Sequence, residues 1–167
     1  MPGAHDAEFT DYVSARSPWL RQVAYLLSGD WHAADELVQV AVTRLYLNWS
    51  RVRAVENPDG YARTVLVNAY LAERRSSWVR RVIPLGGQGE PLAAEGDVDG
   101  ALDLRRALAD LPPRQRAVLV LRYYCDLSVE ETARTLRCSQ GNVKSQAARG
   151  IDRLRRVLRS PAEEVSP

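Results

Sequence analysis

The sequence predicts an all-α protein of two small helical domains joined by a flexible acidic linker. Three observations carry this. Apolar residues recur at steps of three and four along most of the 167 residues, the period of helices with one buried face. No segment alternates apolar and polar residues over the length of a strand, and no internal repeat or phosphate-cradling glycine motif is visible. Residues 83–100, IPLGGQGEPLAAEGDVDG, hold two prolines, five glycines and four acids without apolar periodicity. They divide the chain into an N-terminal domain (1–82) and a C-terminal domain (101–160), with a tail at 161–167.

In order along the chain, Phe9, Tyr12 and Val13 mark a first helix from about Asp6 to Ala15. Ser17-Pro18 then reads as the N-cap and first-turn proline of a second. This one carries Leu20, Val23, Ala24 and Leu27 until Ser28-Gly29-Asp30 ends it. A third helix, from about His32 to Asn48, has a broad stripe of Ala34, Leu37, Val38, Ala41, Val42 and Leu45. Asp35 and Glu36 fall near its start, where the helix dipole favours acids by about 0.3–1 kcal/mol. They serve that end alone or, with Gln39, dock on a basic partner. Residues 49–57, WSRVRAVEN, read as a loop, and Pro58-Asp59-Gly60 opens a fourth helix with Ala62, Val65, Leu66, Ala69 and Tyr70 inward. Its outer end carries Arg74, Arg75, Arg80 and Arg81 around Trp78. Cations there suit the helix dipole, and arginines interleaved with aromatics also suit the tracking of a single nucleic-acid strand.

Beyond the linker, residues 101–110 form a short helix that Leu111-Pro112-Pro113 breaks. Residues 114–126 make another, with Ala117, Val118, Leu121 and Cys125 inward. Ser128 and Glu131 then stand at capping-box spacing and open a helix through Val129, Thr132, Ala133 and Leu136. Ser139 is a second N-cap. The helix after it buries Val143, Ala147, Ile151, Leu154 and Leu158 and shows Gln140, Asn142, Lys144, Ser145, Gln146 and Arg149 on the other face. Those side chains pair with base edges and phosphates, so the unit reads as a helix-turn-helix DNA reader. A helical hairpin with a solvated charged face is the plainer alternative. Gly150 is an irregularity, since glycine inside a helix costs about 1 kcal/mol relative to alanine.

The net charge of +2 conceals segregation. Residues 51–82 carry 7 basic and 3 acidic side chains and residues 101–160 carry 13 and 6, while the segment between them carries four acids and no base. Two basic modules divided by an acidic stretch suggest two separate contacts with a polyanion, although charge runs are commonly solvated faces. All basic residues but Lys144 are arginine, which suits phosphate and guanine recognition but equally a GC-rich genome. No apolar run approaches the ~20 residues that cross a bilayer, and MPGAHDAEF lacks a basic segment followed by an apolar one, so a soluble cytosolic protein is expected. Cys125 and Cys138, the only cysteines, with no C-x-x-C pair and two distant histidines, do not supply the ligand pattern of a structural zinc site. Both cysteines are expected to be small buried apolar residues.

Four segments together resemble bacterial RNA polymerase sigma factors of the extracytoplasmic-function subfamily: DELVQ (35–39), NPDGYARTVLVNAYLAERR (57–75), LPPRQRAVLVLRYYCDLSVEETA (111–133) and GNVKSQAARGIDRLR (141–155). The resemblance implies a sigma region 2 bundle in the first domain and a sigma region 4 helix-turn-helix in the second. It implies that Asp35, Glu36, Leu37, Val38 and Gln39 dock on core RNA polymerase. It implies that Trp49, Arg51, Arg53, Asn57, Asn68, Arg74 and Arg75 meet melted −10 promoter DNA, holding a flipped base. Asn142, Lys144, Ser145, Ala148 and Arg149 would lie in the −35 major groove. The linker would pass through the polymerase's RNA path, or serve as a solvated tether. An anti-sigma protein is implied as a further partner. Two departures stand out: Gln146-Ala147 replaces an Arg-aliphatic pair, and Gln39-Val40 replaces Q-E or Q-D.

A sigma factor is a binding protein with no cofactor, metal or catalytic residue, and none is expected here. A stand-alone helix-turn-helix regulator would need a dimer surface, for which no heptad or extra helix offers itself, and would leave the first 80 residues without a role. An enzyme acting on nucleic acid would need a nucleophile with a carboxylate or metal constellation, and two histidines with scattered acids do not provide it.

Overall fold

In the computed structural model every element among the described residues is helical. The description covers the backbone of residues 3–82 and 99–163 and the side chains of 3–76 and 104–159. Most of the expected linker (83–98), the end of the tail (164–167) and the side chains of Trp78, Arg80 and Arg81 lie outside it. The chain divides into two compact units, Met1–Ser77 and Trp78–Pro167.

The first unit opens with α1 (Ala4–Ser28), a single helix where the sequence predicts two. Pro18 sits inside it. A proline there forfeits one backbone hydrogen bond and crowds the carbonyl four residues back. Pro18 and Ser14 are both exposed, so the missing bond lies at the solvent face. The buried stripe of Phe9, Leu20, Val23, Ala24 and Leu27 holds the helix together on its other side. Tertiary burial overrides the local stop signal. Gly29, at φ 77, ends the helix by donating its N–H to the Tyr25 carbonyl at 2.7 Å. Asp30 then caps α2 (Trp31–Leu47), accepting from the backbone N–H groups of His32 and Ala33. Ala34, Leu37, Ala41 and Leu45 form its buried stripe.

The expected loop at 49–57 contains a short helix, α3 (Trp49–Val52), because Trp49 and Val52 are both core residues that fix its turn. The Asn57 side chain accepts from the Gly60 N–H at 3.0 Å and opens α4 (Pro58–Val82). Ala62, Leu66, Val67, Ala69, Tyr70 and Leu71 are buried along α4.

In the second unit α5 (Asp99–Ala109) begins within the expected linker and ends before the Leu111-Pro112 break. The next helix, α6 (Pro113–Leu119), starts with proline at its first position and runs into one π-helical turn, Val120–Tyr124, rather than continuing straight to Asp126. The Cys125 N–H bonds to the Val120 carbonyl at 3.0 Å, and Asp126 takes a left-handed φ of 56. The widened turn keeps Val120 and Leu121 in the core and leaves Tyr123 and Tyr124 exposed. Cys125 and Cys138 are both half-buried, not fully buried as expected, because each lies at the edge of a turn.

The closing pair is α7 (Val129–Leu136) and α8 (Gln140–Glu163). Leu108, Leu111 and Leu119 pack with Ala147, Ile151 and Leu154 of α8. Gly150 has its reason here. A Cβ at that position would lie 3.0 Å from Leu119 Cδ1 and 3.2 Å from Cγ. The glycine permits a close approach of α8 to α6 that outweighs its poor helix propensity.

Candidate nucleic-acid interface

The predicted capping box is formed in full. The Glu131 N–H donates to Ser128 Oγ at 3.0 Å, and the Ser128 N–H donates to Glu131 Oε2 at 2.9 Å. Thr132 and Thr135, both buried, satisfy their hydroxyls by donating to the carbonyls of Ser128 and Glu131. Ala133 and Leu136 complete the inner face of α7. The turn is tight: Arg137 takes a left-handed conformation (φ 54, ψ 49), and the Cys138 N–H bonds back to the Ala133 carbonyl at 3.1 Å. Ser139 Oγ then accepts from the Asn142 N–H at 3.0 Å, the second predicted cap. Fully buried Val143 holds the start of α8 against the core.

This frame leaves one side of α8 bare. Asn142, Lys144, Ser145, Ala148 and Arg149 are all exposed. The five positions nominated from sequence therefore share a solvent-facing surface, with amide, hydroxyl and two cationic groups around one small methyl. Gln146 and Ala147 are half-buried, and Ala147 packs against the Leu108–Leu111–Leu119 cluster. Ala147 is thus a packing residue and not a surface contact.

The first unit arranges its candidates differently. Trp49 is 3% exposed, its ring edge-on to Phe9 (5.3 Å, 73°) and tilted on Tyr12 (5.2 Å). It cannot stack on a base and anchors the loop from beneath. Arg53 Nη2 pairs with Glu8 Oε2 at 2.9 Å, and the Asn57 side chain is engaged as the cap of α4. Asp59, next to that cap, accepts from Tyr12 Oη at 2.9 Å and Arg16 Nε at 2.8 Å. Partial burial and the neighbouring Asp59 carboxylate push the Tyr12 phenol well above its ordinary range. Sequence reading missed Glu8, Tyr12 and Arg16 as braces of the loop, since nothing local in α1 signals a partner more than 40 residues away. Arg51 and Arg75 are exposed; Asn68 and Arg74 are half-buried, with the Arg74 guanidinium 5.7 Å from the Tyr70 ring centroid.

On α2, Leu37 is 3% exposed and belongs to the core, so it shapes the segment without reaching a partner. Glu36 and Gln39 are exposed, Val38 is half-buried and Val40 is 42% exposed. Asp35 is bonded to Arg21 at 2.7 Å, and that guanidinium holds its carboxyl below the usual range. Arg21 also lies 4.3 Å from the ring of Trp31, which stacks on Tyr25 at 3.8 Å. Among the described residues no three His, Cys, Asp or Glu side chains cluster as a metal site requires, and no helix is long and apolar enough to cross a membrane.

Residues 12–80 match the family model for Sigma-70 region 2, and residues 101–154 match that for Sigma-70, region 4. The chain is 36% identical over 153 residues to the RNA polymerase sigma-E factor of Streptomyces coelicolor, covering 90% of this chain and 86% of that one. It is 30% identical over 139 residues to the ECF RNA polymerase sigma factor SigM of Mycobacterium tuberculosis, covering 83% and 71%. Among solved structures, the sigma factor RpoE of Bartonella quintana, crystallised with the anti-sigma factor NepR, aligns with a TM-score of 0.72 at 24% identity, covering 91% of this chain and 97% of that one. That last likeness is one of fold.

Proposed function

Since the chain belongs to the sigma-70 family, as an alternative sigma factor of the extracytoplasmic-function subfamily, we propose how its two units divide promoter-specific initiation. The first domain (1–82) binds core RNA polymerase through the outer face of α2, chiefly Asp35, Glu36, Val38 and Gln39. It also holds the melted −10 strand with the 51–57 loop and α4, where Arg51, Asn68, Arg74 and Arg75 supply contacts. The second domain (101–160) sets α8 in the −35 major groove. Asn142, Lys144, Ser145 and Arg149 face base edges and phosphates there, and the Ala148 methyl faces a thymine methyl. Residues 83–100 tether the two, so that polymerase, by holding both at one spacing, adds their separate energies.

The observation that supports this reading best is the bare side of α8 behind a fully formed capping box and turn. The protein supplies positioning and no catalytic chemistry, needs no cofactor or metal, and works in the cytoplasm where polymerase and DNA are. One sigma factor of similar fold was crystallised with an anti-sigma factor, and an antagonist of that kind is proposed here as well. Run-off transcription by sigma-free core polymerase, with and without the protein, on fragments of the producing genome tests the assignment. Specific new transcripts whose start sites align on two upstream elements are the expected result. Transcripts that share only a −10 element would remove the role given to α8.

A further inference from the structure

The assignment of the first half of α8 to the groove leaves the outer side of its second half without a task, while Ile151 and Leu154 pack inward. The helix runs for 24 residues, about 36 Å at 1.5 Å per residue. A major groove is about 12 Å wide. A helix seated by its opening turns therefore carries its later turns past the groove edge, alongside the sugar-phosphate backbone.

Cations concentrate in those later turns. Arg153, Arg155, Arg156 and Arg159 fall within seven positions, with Asp152 as their acidic neighbour. Two of the four are engaged: Arg153 reaches Asp110 at 3.4 Å and Arg156 reaches Asp152 at 2.7 Å. Arg155 and Arg159 are exposed, and neither forms an ion pair among the described residues. They stand at i and i+4 on one side of the helix, where like charges destabilise it. The same side, at steps of four and seven, carries Lys144 and Ala148. A pair that repels itself in the free protein, in line with the groove-facing residues, is suited to an anion that arrives with the duplex.

Resting on the reading of α8 as the −35 helix, we propose that Arg155 and Arg159 form a phosphate clamp on the DNA backbone flanking the −35 groove. The contact carries no sequence information. It raises affinity for any duplex and orients the first half of α8 in its groove.

The test is the binding of the full chain to a −35 duplex and to a scrambled duplex of equal length, followed by fluorescence anisotropy across a salt series. Each phosphate neutralised contributes about 0.9 to the slope of log K against log salt. The double variant Arg155→Gln, Arg159→Gln should flatten that slope by about 1.8 and weaken both duplexes by the same factor, roughly tenfold or more in low salt. Arg155→Lys with Arg159→Lys keeps the charges and should restore the slope, which guards against a merely structural loss. An unchanged slope in the Gln variant overturns the clamp, and so does a loss confined to the matched duplex. An unchanged slope combined with lost transcription by holoenzyme would move the two arginines to an acidic protein partner. Failure of the underlying reading looks different: the unsubstituted chain would then fail to prefer the −35 duplex over the scrambled one.

Discussion

The two units present their candidate contacts in opposite ways. In the first, the side chains around 49–59 are tied into the fold: Trp49 lies in an aromatic cluster, Arg53 on Glu8, Asn57 on the backbone of α4 and Asp59 on Tyr12 and Arg16. In the second, Val143, Ala147, Ile151 and Leu154 turn inward, and the candidate contacts stand on the outside of the same helix. The proposed division of labour accounts for the difference. A duplex groove accepts a straight helix and needs only a rigid rod with the right side chains on it. A flipped or unstacked base needs a shaped receptor, and a loop keeps a shape only when other elements brace it.

If that contrast holds, substitutions in the first unit should change stability and function together, and those on the outer side of α8 should change function alone. The largest effect expected is for Trp49→Ala, which empties a buried aromatic site and should cost about 3–5 kcal/mol in urea unfolding. Promoter opening should fall with it. A variant of near-native stability would show that the loop is not held from below. Next comes Gly150→Val, which forces two methyl groups against Leu119 and should cost about 1–3 kcal/mol in the second unit. Gly150→Ala separates propensity from space, because its Cβ needs Leu119 to yield by only a few tenths of an ångström. Full stability in the valine variant would refute the close approach.

Ser128→Ala removes one half of the capping box and should cost about 1 kcal/mol, read as a lower midpoint at unchanged denaturant slope. Arg53→Ala breaks a half-exposed ion pair and should cost under about 1 kcal/mol, yet impair formation of the open complex by loosening the loop. Permanganate reactivity of the melted strand reports this, and unaltered reactivity would take Arg53 out of the bracing. Arg149→Ala marks the far end of the contrast, with stability within about 0.5 kcal/mol of the parent and a salt slope flatter by about 0.9. A large loss of stability there would break the comparison.

The smallest effect is one of pH. Arg21 depresses the folded-state value of Asp35 below its ordinary 3.8. The stabilisation from this pair is therefore present above that value and is lost as pH falls through the folded one. Asp35→Asn should abolish this acid-side component, which unfolding midpoints measured between pH 5 and pH 3 would register.

Local chemistry was legible along the chain. The Ser128/Glu131 spacing specified a capping box, Ser139 a second cap, and the steps of three and four in α2 and α4 their buried stripes, because each depends on residues within a turn or two of one another. In α8 the inward side holds from Val143 to Leu154, but Leu158, expected to be buried, is exposed because the packed cluster ends at Leu154. Periodicity also put Gln140, Asn142, Lys144, Ser145 and Arg149 on the exposed side, together with Gln146, which is half-buried, whereas Ala148 joined the set only through the family resemblance. Where sequence reasoning went astray, a distant partner decided. Ser17-Pro18 looked like a boundary, yet the buried stripe of α1 continues on both sides of it. WSRV looked like loop, yet Trp49 is held by Phe9 and Tyr12. The resemblance offered Leu37 and Trp49 to partners, yet both lie within the core, Leu37 as its place in the apolar stripe of α2 foretold.

The sequence by itself determined the helical character of the chain, the caps of α7 and α8 and the outward side of the start of α8, since these rest on interactions between neighbours a few residues apart. Only the tertiary structure decided the continuity of α1 through Pro18, the π-helical turn before α7, the need for glycine at 150 and the bracing of the 49–59 segment from α1. These depend on which side chains meet across tens of residues, and helix periodicity carries no record of such a meeting until the helices pack.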